Sequence, residues 1–65
     1  MDEKQQLAEA VAVAVRDTCF QLATRRYEDA AMSGLCHEGA LEVALDAIRS
    51  LDVRPIVATI AADNP

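Results

Sequence analysis

Hydrophobic and polar positions repeat at helical spacing along most of the chain, and no glycine or proline falls between Asp2 and Met32. Ala, Glu, Gln, Leu and Arg dominate that stretch, so its summed helix propensity is high. The pattern predicts a first helix from about Glu3 to Met32. Asp2 suits the N-cap, Glu3 suits the first turn, and Gly34 suits the left-handed position that follows a helix end. Residues Ala10-Val11-Ala12-Val13-Ala14-Val15 alternate with period two, as a strand does. The alternation is Val against Ala rather than apolar against polar, and both flanks are helical, so helix is the expectation here as well.

On a helical wheel this first helix carries two apolar stripes. Val11, Val15, Cys19, Leu22 and Ala23 form one broad face. Val13, Phe20 and Tyr27, spaced by seven, form a second, which Ala31 extends. Glu3, Gln6, Asp17, Gln21, Thr24 and Glu28 fill the remainder. A helix wetted over only about a third of its circumference has two sides to bury.

Beyond a turn at Ser33-Gly34-Leu35, a second helix is expected from Cys36 or His37 to Leu51. Glu38 falls in its first turn and Arg49 near its C-terminal end, both favourable against the macrodipole. The expected inward face is His37, Ala40, Leu41, Ala44, Ile48 and Leu51, flanked by Leu45 and Ala47, while Glu42, Asp46, Arg49 and Ser50 face water. Asp46 can pair weakly with Arg49 three residues on. Small residues at Gly39-Ala40 and Ala44-Ala47 permit close helix approach. A short loop sets the two helices antiparallel. Gly34 is expected at positive φ, with Leu35 folded back over the helix end so that His37 points at Tyr27 or Ala30.

In the last segment Asp52 can cap a short helix whose first turn holds Pro55, where a missing N–H is harmless. Val53, Ile56, Val57, Thr59 and Ile60 are β-branched and also suit an extended strand; the short helix is the expectation. The fold class is therefore all-α: an antiparallel hairpin of a long and a shorter helix, with a C-terminal segment folded back, in one domain over 1–65.

Length points to a partner. A helix of about 30 residues is ~45 Å long, against ~24 Å for the second helix, which returns only to the level of Thr18. The tail can then lie over Val11 and Val15. The stripe of Val13, Phe20 and Tyr27 still lacks a cover, and a second chain is the simplest one. The expectation is a homodimer forming a four-helix bundle, with those three residues at its interface.

Composition supports that incompleteness. The chain has 65 residues, 52% of them hydrophobic but only 3% aromatic, so its aliphatic core is thin. Six Lys and Arg against eleven Asp and Glu leave a net charge of -5. Nucleic-acid binding draws on phosphate neutralisation, and the nearest basic cluster, Arg25-Arg26 after Arg16, is cancelled by Glu28 and Asp29. Anionic membranes are disfavoured for the same reason. The apolar run Leu7 to Val15 is too short to span a bilayer, and Met1-Asp2-Glu3-Lys4 is acidic where a signal peptide is basic. Two cysteines, Cys19 and Cys36, do not make a disulfide scaffold. A cytoplasmic location is expected.

Reactive side chains cluster only at Tyr27, Cys36, His37 and Glu38. A thiol at a helix N-terminus can be activated, yet adjacent helical residues point about 100° apart, so a Cys36–His37 nucleophilic pair is poor within one chain and possible only across a dimer. Cys36 is expected as a small buried apolar residue, His37 as hydrogen-bonded near the turn, and Tyr27 as a packing residue with its hydroxyl at the core edge. His37-Glu38-Gly39-Ala40-Leu41 opens like a zinc-binding H-E-x-x-H helix, but Leu41 stands where the second histidine must be. Gly34 and Gly39 lack the surroundings of a phosphate loop, and one histidine with two serines at helix ends makes no hydrolytic triad. No catalytic residue, metal or cofactor is expected.

Tyr27-Glu28-Asp29-Ala30, Gly34-Leu35-Cys36-His37-Glu38-Gly39-Ala40-Leu41-Glu42 and Arg49-Ser50-Leu51-Asp52 together resemble short bacterial helical proteins of unknown function. Those proteins carry a Y-E-x-A, G-L-C-x-E-G-A-x-E and R-x-L-D pattern. The resemblance runs from Tyr27 to Asp52 and implies a helical hairpin. Some of them bear an acetyltransferase label, which fits poorly: such enzymes need a sheet and a pyrophosphate loop. Two functional expectations remain. One is an acidic helical interaction or regulatory module acting on an unknown protein partner, without catalysis. The other is a small thiol- or metal-dependent protein using Cys36 and His37 at the turn.

Overall fold

A computed structural model describes residues 2–63; Met1, Asn64 and Pro65, the ends of the expected 1–65 domain, lie outside the described residues. Among the described residues the chain is helical throughout its regular structure, as α1 (Glu3–Met32), α2 (His37–Arg49) and α3 (Arg54–Asp63). The all-α hairpin expected from the spacing is therefore present, and α1 packs against both α2 and α3. The alternating Ala-Val run lies inside α1, because continuous flanking helix outweighs the strand preference of three valines.

Local signals account for the helix ends. The Asp2 carboxylate accepts the Gln5 N–H at 2.8 Å, capping α1 as expected. At the other end Gly34 takes φ 97°. Its N–H donates to the Ala31 carbonyl and the Leu35 N–H to the Ala30 carbonyl, each at 3.1 Å. This is the paired closure of a helix end through a left-handed glycine, and it satisfies carbonyls that would otherwise be orphaned. The Ser33 hydroxyl and N–H both donate to the Asp29 carbonyl, at 2.9 and 3.0 Å.

The chain gathers into two compact clusters. One joins α1 up to Asp17 with the segment from Asp52 onward; the other is Thr18–Leu51. In the first, Leu7, Ala10, Val11, Ala14 and Val15 on α1 and Ile56 and Ile60 on α3 are half-buried, the latter pair one turn apart. Asp52 opens α3 by accepting the Arg54 N–H at 3.0 Å, and the Val57 N–H donates to the Val53 carbonyl. Pro55, second in the helix, sits where its missing donor is harmless.

In Thr18–Leu51 the buried residues are alanines: Ala30 from α1, Ala40 and Ala44 from α2. Cys19, Leu22, Ala23, Tyr27, Ala47 and Leu51 are half-covered beside them. Three expectations change here. Leu41 and Ile48, expected inward on α2, are exposed: small residues at Ala40, Ala44 and Ala47 form the seam, and close approach along it displaces their large neighbours to the side. The helix also ends at Arg49 rather than Leu51, because the Leu51 N–H turns to the Ile48 carbonyl in a tighter final turn. Asp46 and Arg49 do not pair; the ion pairs among the described residues are Arg16–Asp17 and Arg54–Asp52. Glu38, Glu42 and Asp46 follow one another at every fourth position of α2, a like-charge spacing that costs a few tenths of a kcal/mol per pair, and Arg49, one turn beyond Asp46, forms no ion pair with them.

Candidate functional site

The hairpin turn brings two of the four clustered residues together. Tyr27 lies on the half-buried side of α1, and His37 opens α2 immediately after the turn. The Tyr27 hydroxyl and His37 Nδ1 are 2.6 Å apart. With the imidazole proton on Nε2, the tyrosine hydroxyl donates to Nδ1; with the other tautomer the direction reverses. The rings meet edge to face, with centroids 5.7 Å apart and planes at 72°. Gly34 is what permits this, since its left-handed backbone reverses the chain abruptly and aims the first turn of α2 back along α1.

Cys36 and Glu38 do not join them. Cys36 is exposed, not buried as its apolar character suggested, because it occupies the N-cap in an extended conformation (φ -67°, ψ 166°) outside the seam. Its backbone carbonyl accepts the Ala40 N–H at 2.9 Å, but its thiol makes no capping bond. A Cβ placed on Gly39 meets Leu35 Cδ2 at 3.5 Å and Cys36 Sγ at 3.7 Å, so the thiol and Leu35 both rest against the start of α2. Glu38 is exposed in the first turn. Among the described residues no group of three or more His, Cys, Asp or Glu side chains converges as metal ligands do. His37 is exposed as a residue, and its one side-chain hydrogen bond among the described residues is the one to Tyr27.

The stripe expected at an interface divides. Tyr27 is engaged by α2, whereas Val13 and Phe20 stay exposed, Phe20 at 73%. The residues expected inward on α2 that are exposed are His37, Leu41 and Ile48, and Leu45, expected to flank that face, is exposed with them. The signal was visible: Ala40-Ala44-Ala47 and Leu41-Leu45-Ile48 both repeat at helical spacing, and size decides which of two adjacent ridges enters a tight seam. Among the described residues no helix is long and apolar enough to cross a membrane. Comparison with protein-family models, with curated proteins and with solved structures finds no match to the chain.

Proposed function

We propose that the chain is a small acidic interaction module that acts through protein–protein contacts and has no catalysis of its own, and that it pairs with a second copy as a four-helix bundle. One observation supports this above the others: among the described residues the buried side chains are alanines, while Phe20, at 73% exposure, and Leu45, at 52%, are left in water. Burying a large apolar side chain contributes roughly 1.5–3 kcal/mol, so side chains left outside are a reserve of free energy for association. Replacing Phe20 with Ala tests the reading. In an isolated chain truncating so exposed a ring costs little. In a dimer it lowers the melting temperature in a way that depends on protein concentration, because association and folding are then linked. Unfolding that is independent of concentration, together with a monomer in sedimentation equilibrium, would refute it.

A chemical reading of Cys36 and His37 has one observation in its favour, the exposed thiol beside a histidine whose Nδ1 is held by Tyr27. Its test is separate. Metal analysis of the purified protein, and Cys36 alkylation that slows in the Tyr27→Phe variant, would support it; a thiol of ordinary reactivity with no bound metal counts against it.

A further inference from the structure

We draw no further inference here: the strongest candidate, the exposed apolar patch of Leu41, Leu45 and Ile48 along the outward side of α2, carries nothing because nothing in the structure shows what covers it.

Discussion

Between Thr18 and Leu51 the side chains withdrawn from water are Ala30, Ala40 and Ala44, whereas where the start of α1 meets α3 none is fully withdrawn and Leu7, Val11, Val15, Ile56 and Ile60 share partial cover. The first region is a seam. Its small side chains let two helix backbones come close, and the contact gains from dispersion and shape rather than from the size of any residue. The second is a loose aliphatic contact, in which each residue buries part of a larger side chain and neighbours can adjust. A seam tolerates no added volume, and a loose contact tolerates some. The seam also sends its large residues outward, so the region with the tighter interior has the more hydrophobic exterior.

Volume added to the seam should give the largest effect. Ala40 is 0% exposed, and Ala40→Leu should destabilise by about 2–3 kcal/mol, at the upper end of what overpacking costs. Removing one methylene from the loose contact, Ile60→Val, should cost no more than about 1 kcal/mol. Urea unfolding of the two variants decides the matter. An Ala40→Leu variant as stable as the wild type would mean that the seam has room, and the contrast between the regions would fail.

The turn sharpens the same contrast, since the seam depends on an abrupt reversal. Gly34→Val should cost about 1–2 kcal/mol, because a β-branched residue at φ 97° is strained although nothing stands within 4 Å of the added Cβ. Gly39→Ala is the matched control. Its backbone is helical and its added methyl meets Leu35 and Cys36 at ordinary contact distances of 3.5 and 3.7 Å, so it should gain up to about 0.5 kcal/mol. Thermal melts of both glycine variants separate backbone strain from space. Tyr27→Phe should follow with about 0.5–1 kcal/mol for the lost bond to His37, read from the same melts.

What the sequence displays plainly is backbone logic. Asp2, Gly34, Asp52 and Pro55 are residues whose chemistry fits one position at a helix end, and each stands there. The meeting of His37 with Tyr27 follows from Gly34 and was legible for that reason. Side-chain facing was less so. Ala40 and Leu41 are neighbours, both apolar and both repeated one turn later, and periodicity alone cannot say which ridge goes inside. That choice depends on how closely the helices approach, a property of the pair and not of either helix. Cys36 misled for a related reason: apolar character suggests burial, yet an N-cap lies outside the helix and outside any seam the helix makes.

Acid should produce the smallest effect, and in the loose region only. The Asp52 carboxylate holds α3 at its start, accepting the Arg54 N–H at 3.0 Å and pairing through both oxygens with the Arg54 guanidinium at 2.9 Å. That side-chain pairing, then the backbone bond, keeps its pKa below the ordinary carboxylate value, with slight desolvation opposing. In the unfolded chain the group titrates at about 3.9. The folded state thus binds this proton less readily, so the stabilisation is complete above the ordinary value and is lost as pH falls through the depressed one. Both partners are exposed and screened, which keeps the effect small. Amide exchange at Val57, whose N–H donates to the Val53 carbonyl, should stay slow through the neutral range, after allowance for the intrinsic pH dependence of exchange. Its protection should fall only below the ordinary carboxylate range. Asp52→Asn keeps an acceptor for the Arg54 N–H but has no charge to lose, so it should flatten that acid step. A step that survives in Asp52→Asn would move the acid sensitivity to another carboxylate.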